Sequence, residues 1–158
     1  MIRHLFLASA ALAMVTTAAQ ADEFRATQTV QKVVSIERED GSTGVDYITA
    51  DQVQPGEALI YRLDYSNESA AAAENVALVM AVPAEVTYSE NSASSEAAAV
   101  TFSTDGGQSF APRSELLTGA GSEQRQAVAE DITHIQWAFT DPIPVGAEGE
   151  VMYEAVVR

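Results

Sequence analysis

Glycine and proline interrupt this chain too often for long helices. They fall at Gly41, Gly44, Pro55-Gly56, Pro83, Gly106-Gly107, Pro112, Gly119, Gly121, Pro142, Pro144, Gly146 and Gly149. Both residue types punctuate regular structure and mark turns. The stretches between them alternate in polarity, which is the pattern of half-buried strands. An antiparallel all-β sandwich is therefore expected.

The clearest alternation is Glu57 to Ser66. Leu59, Tyr61, Leu63 and Tyr65 share one face, and Arg62, Asp64 and Ser66 the other, with Ala58 and Ile60. Pro55-Gly56 turns into this strand, and Asn67-Glu68-Ser69 ends it. Further strands are expected at Asn75 to Val82, Glu85 to Ser89, Ala98 to Ser103, Thr133 to Thr140 and Glu150 to Arg158. Ala26 to Ile36 is β-rich but carries Lys32 in its apolar phase, so it reads as an edge strand or one with a bulge. Ala70 to Ala73 and Glu123 to Ala129 are expected to make short helical turns. The rest of Asn91 to Ala99 and Gly119 to Glu130 reads as loop.

The first 21 residues speak of destination. Arg3 precedes an apolar or small run from Leu5 to Val15, and Ala19-Gln20-Ala21 fits a small-x-small cleavage site. The run is shorter than the roughly 20 residues a spanning helix needs. A signal peptide over residues 1–21 is expected, followed by a single domain over 22–158 with no integral membrane segment. The product would be periplasmic or extracellular. No cysteine is present, which excludes disulfides and a lipidated cysteine at the cleavage site.

Charge narrows the partners. Of 8 Lys+Arg, Arg3 leaves with the leader, so 7 face 23 Asp+Glu and the net charge becomes −16. Such a surface repels phosphate backbones, so no nucleic acid is expected as a partner.

Little catalytic chemistry is available. The expected mature chain has one histidine, His134, on the strand face opposite Trp137, where a surface or rim role is expected rather than general-base work. No Gly-x-Ser-x-Gly elbow or phosphate-binding loop occurs. Carboxylate-based glycoside hydrolysis would need two facing acids, which 23 acids do not specify. One histidine and no cysteine do not suit zinc or copper. Calcium takes oxygen ligands from loops, and Glu37, Glu39, Asp40 and Asp46 crowd a Gly-rich stretch, making them the calcium candidates. Tyr61, Tyr65, Tyr88, Trp137 and Tyr153 fall in phase with their strands and are expected in the core. Asn67-Glu68-Ser69 matches a glycosylation acceptor, but a turn at the strand end is the expected role.

Two local patterns go further. Ser103-Thr-Asp105-Gly106-Gly107-Gln108-Ser109-Phe110 looks like the Asp-box hairpin of sialidase-type propellers, and one copy cannot build a propeller. Its expected role is a turn, with Asp105 accepting backbone N–H groups, Gly106 and Gly107 at positive φ, and Gln108 to Ala111 as hairpin partner of Ala98 to Ser103.

The second pattern is Val53-x-Pro55-Gly56-Glu57-x-x-x-Tyr61-x-Leu63-x-Tyr65-x-Asn67, then Ala73-x-Asn75-Val76-x-Leu78, Val82-Pro83 and Tyr88. It resembles the bacterial conserved repeat domain known as domain of unknown function 11. That resemblance implies an immunoglobulin-like antiparallel β-sandwich of about seven to nine strands, in a secreted or surface protein, without catalytic residues. The chain holds one copy of a unit that often occurs in tandem, so a small free module is expected. The function expected is that of a non-enzymatic envelope module working through an unknown protein partner, with calcium or small-ligand binding as the alternative.

Overall fold

The computed structural model describes residues 14–16, 23–93 and 95–158. The expected leader, residues 1–21, lies outside the described residues except for Met14–Thr16. Among the described residues no helix is long and apolar enough to cross a membrane.

Eleven strands are described: β1 (Met14–Thr16), β2 (Phe24–Glu37), β3 (Thr43–Thr49), β4 (Ala58–Asn67), β5 (Ala77–Ala81), β6 (Val86–Tyr88), β7 (Ala98–Ser103), β8 (Leu117–Thr118), β9 (Arg125–Gln126), β10 (His134–Phe139) and β11 (Glu148–Val157). One sheet has the order β3-β2-β4-β11-β6 and the other β1-β5-β10-β7, with β8 and β9 as a separate two-strand ribbon. All the pairings are antiparallel. This is the expected all-β sandwich.

The alternation determines what lies between the sheets. Leu59, Tyr61 and Leu63 of β4 meet Val151, Tyr153 and Ala155 of β11 on the inner face of the larger sheet, all buried. Leu78, Met80, Ile135 and Trp137 come from the smaller sheet, each with no exposed surface. Burying a side chain of this size contributes about 1.5–3 kcal/mol. Aromatic rings bridge the layers. Tyr65 meets Phe139 edge-on at 5.2 Å, and Tyr88 meets Phe102 at 5.5 Å. Within one layer, Tyr61 stacks on Tyr153 at 4.8 Å. Tyr61, Tyr88, Trp137 and Tyr153 are core residues as expected, and Tyr65 is half-buried.

Several expectations need correction. The segment at Ala26 to Ile36 is unbulged and lies inside the sheet order rather than at its rim, although only Gln31 and Lys32 have partners on both sides. It is the middle of β2, which pairs with β4 through Phe24–Lys32 and with β3 through Gln31–Glu37. Lys32 is accommodated in its apolar phase by an ion pair with Glu57. Ala70 to Ala73 makes no helical turn, because Ala73 bridges to Ile143 through paired backbone bonds of 2.9 Å. Between Glu123 and Ala129 the chain forms β9 instead, flanked by short 3₁₀ turns at Gly121–Glu123 and Ala129–Asp131. Gln108 to Ala111 contributes only one bridge, Phe102 to Ala111.

Candidate functional site

β2 runs past the body of the sandwich. Beyond Lys32 its described partner is β3 alone, so Val33–Glu37 and Thr43–Tyr47 form a two-stranded arm, rooted at the Lys32–Ile48 pair. The turn is closed by Arg38 N–H donating to the Ser42 carbonyl at 2.8 Å and Gly41 N–H donating to the Arg38 carbonyl at 2.9 Å. Gly41 sits at φ +78, where a side chain would be strained. At the root, Glu57 pairs with Lys32 and accepts the Gln54 N–H at 2.8 Å. These contacts hold its carboxyl below the usual range, with Lys32 as the largest cause.

Cross-strand pairs point to one face, so register divides the arm's side chains. Val33, Ser35, Val45 and Tyr47 share the outward face, while Val34, Ile36 and Ile48 continue the inward one. Neither set is covered. Val45 is 53% exposed, Tyr47 and Ile48 46%, and Ile36 38%. On the outward face Val156 of β11 is also exposed, and Ile60 of β4 is buried. Val45 and Tyr47 thus lie two residues apart on one face, and Ile36 and Ile48 on the other.

The four calcium candidates all lie on this arm, and the strands separate them. Glu37 is the last residue of β2 and pairs with Thr43, which puts it on the outward face. Asp46 pairs with Val34 and projects from the opposite face. Glu39 and Asp40 occupy the turn. Asp40 is engaged locally, its Oδ1 accepting Ser42 N–H at 2.9 Å and Ser42 Oγ–H at 2.6 Å. Those bonds lower its pKa. Asp46 Oδ1 accepts the Tyr47 N–H at 2.9 Å. Among the described residues no group of three or more His, Asp or Glu side chains is placed to hold a metal ion. The strand that divides them, β3, went unread because Gly44 and its acidic neighbours look like a loop.

The other marked residues serve the fold. Asp105 Oδ1 accepts N–H groups from Gln108 and Ser109 at 3.0 Å each, and its two oxygens accept the hydroxyls of Ser103 and Ser109 at 2.7 and 2.6 Å. The hydroxyl bonds lead the causes that hold its carboxyl far below the usual range. Gly106 and Gly107 adopt φ +78 and +83 as the turn requires. His134 is half-buried, with Nδ1 3.2 Å from Thr133 Oγ1, and burial lowers its pKa.

Asn67 is fully buried, so its amide is closed to glycosylation. Nδ2–H donates to the carbonyls of Ala71, Ile143 and Pro144 at 3.0, 2.8 and 3.2 Å, while Oδ1 accepts from Ser69 N–H and Oγ–H. This is the strand-end turn the sequence implied.

A shallow cleft of about 160 Å³ lies beside Tyr65, Phe139, Asp141, Pro142 and Pro144. That is smaller than the roughly 300–1,000 Å³ of pockets that enclose small ligands.

The fold and this arm define a β-sandwich with an exposed apolar hairpin. Comparison of the chain with models of protein families, with curated proteins and with solved structures finds no match.

Proposed function

We propose that this chain is an exported, non-enzymatic β-sandwich module, periplasmic or extracellular, that acts in the cell envelope by binding another protein through its β2–β3 arm. The exposed apolar side chains of the arm, Ile36, Val45, Tyr47 and Ile48, carry this reading. Covering apolar surface contributes about 25 cal/mol per Å² before the costs of association, so an arm exposed on both faces offers a binding gain that a solvated loop does not. The net charge of −15 and the acids at the tip favour a partner with a basic rim around an apolar centre. The resemblance to the bacterial conserved repeat domain and the leader-like N-terminus support an envelope setting.

The test is site-specific photo-crosslinking in the native host, with the photoreactive residue placed in turn at Tyr47, Val45 and, as a control, Asp64. The expected outcome is one discrete adduct at the two arm positions and none at Asp64, from an envelope fraction. Adducts absent from the arm, or equal at all three positions, would reject the arm as the contact surface.

A further inference from the structure

β5 has a full-length partner on one edge only. It pairs with β10 on one side, and on the other its described neighbour is the three-residue β1. Backbone bonds assign the two sides. Val82 N–H donates to the Thr133 carbonyl and Phe139 N–H donates to the Val76 carbonyl, so even-numbered residues here turn their polar groups toward β10. Alternation turns those of Ala77, Val79 and Ala81 to the outer edge. The Ala81 carbonyl already accepts the Tyr153 hydroxyl at 2.7 Å. Ala77 and Val79 are left for an added strand, and they are the residues in register with Thr16 and Met14.

The edge lacks the usual protection. Ala77–Ala81 reads Ala-Leu-Val-Met-Ala, with no charge, proline or glycine. Edge strands ordinarily carry such residues to discourage pairing with other chains. Leu78 and Met80 are fully buried beneath, which holds the edge in place.

We infer that β5 is a strand-acceptor site, covered by residues 14–16 in the uncleaved chain and opened by removal of residues 1–21, for an extended uncharged segment of another protein that runs antiparallel and carries basic residues at its ends. The uncharged centre follows from Met14-Val15-Thr16, which occupies the edge antiparallel in this structure. The basic ends follow from charge, because β5 is flanked by Glu74 and Glu85 in a strongly acidic chain. The same acids disfavour a second copy. Two β5 strands paired antiparallel about Val79 would bring Glu74 of each close to Glu85 of the other. Main-chain bonds supply affinity in such strand addition, and alternate side chains supply selectivity. The inference takes from the proposed function only the removal of the leader, and the arm plays no part in it.

Among the described residues the core cluster lies between Phe24 and Val157, all within residues 22–158. The probe is a synthetic peptide of residues 11–19 with two lysines added at each end. It is titrated into the full chain and into residues 22–158, followed by calorimetry and by amide resonances. The shorter chain is expected to bind, with shifts at Ala77 and Val79, and the full chain to bind about tenfold or more weakly. Methylating the peptide nitrogen of residue 14 keeps every side chain but removes a ladder donor, and is expected to weaken binding by about tenfold or more. Val79→Pro removes the facing donor from β5 while sparing the bonds to β10. If that variant does not fold, the methylated peptide gives the same reading. Failure to bind, or equal binding of both peptides, would overturn the inference. So would self-association of the shorter chain through β5, which would make a second copy the occupant. Tyr47→Ser is expected to leave peptide binding unchanged, so failure here and failure of the arm are distinguishable.

Discussion

Asn67 and Ile143 lie 76 positions apart in the chain, and the buried Asn67 amide donates to the Ile143 carbonyl at 2.8 Å. The same amide reaches Ala71 and Pro144, so one side chain ties the end of β4 to the approach to β11. Its two oxygen-side bonds to Ser69 leave no capacity unused.

Replacing Asn67 by Ala removes both ends of this network and leaves the Ala71, Ile143 and Pro144 carbonyls with only their other donors, the Ser69 hydroxyl and the Ala73 and Ala147 N–H groups. Unfolding in urea is expected to show a loss of about 3 kcal/mol, the sum of several modest bonds. Asn67→Asp is expected to be no better at neutral pH, since a carboxylate would face three carbonyl oxygens.

The stacked pair Tyr61 and Tyr153 responds unequally to loss of a hydroxyl. Tyr153 donates to Ala81 across the sheets, whereas the buried Tyr61 hydroxyl has no partner among the described residues. Tyr153→Phe is expected to cost about 1–1.5 kcal/mol. Tyr61→Phe is expected to be neutral or stabilising, because it removes an unsatisfied polar group. Denaturant midpoints of the two variants measured side by side decide this.

Alkaline stability follows from the same ring. Burial, then the Glu85 carboxylate, pushes Tyr61 up to about 12, and burial raises Tyr153 well above its ordinary value. A raised folded pKa means the unfolded chain loses its proton first. The stabilisation is therefore complete below about pH 10, the ordinary tyrosine value, and declines as pH rises through about 12. Melting temperatures across that window should fall, and should fall less steeply in Tyr61→Phe.

Acid has the opposite sign. Asp105 is held low by the Ser109 and Ser103 hydroxyls, and Asp131 by Arg125. Stability from these groups is present above the ordinary carboxylate range and is lost as pH falls through their depressed values. Asp105→Asn is expected to lower the melting temperature at neutral pH and to flatten its decline in acid.

Calcium is expected to leave the protein unchanged. Glu37 and Asp46 project from opposite faces of the arm, and Asp40 is occupied by Ser42. Melting curves with millimolar calcium and with a chelator should superimpose, whereas a site that binds the folded state would raise the midpoint by mass action.

The body of the sandwich was legible because its strands obey a period of two. Leu59, Tyr61 and Leu63, and likewise Ile135 and Trp137, announce a buried face that the structure confirms. The arm was not legible for the same reason. Its side chains are exposed on both faces, so β3 shows no contrast between a wet and a dry side, and Gly44 with its acids reads as a turn. Lys32 misled in a related way, since a charge in an apolar phase resembles an edge when its partner, Glu57, cannot be seen from local sequence. Asn67 was legible as a turn residue, but its reach to Ile143 and Pro144 depends on where β10 and β11 place that loop.

The length of β2 has a mechanical consequence. One uninterrupted strand of 14 residues is both the root and the projecting half of the arm. A partner pulling on the tip along the strand axis would load the ladder from Phe24–Asn67 to Lys32–Leu59 in shear, engaging all its rungs together rather than peeling them one at a time. The projecting half of the arm is thus continuous with the strand that anchors it, so a pull on its tip would be met by the whole ladder at once.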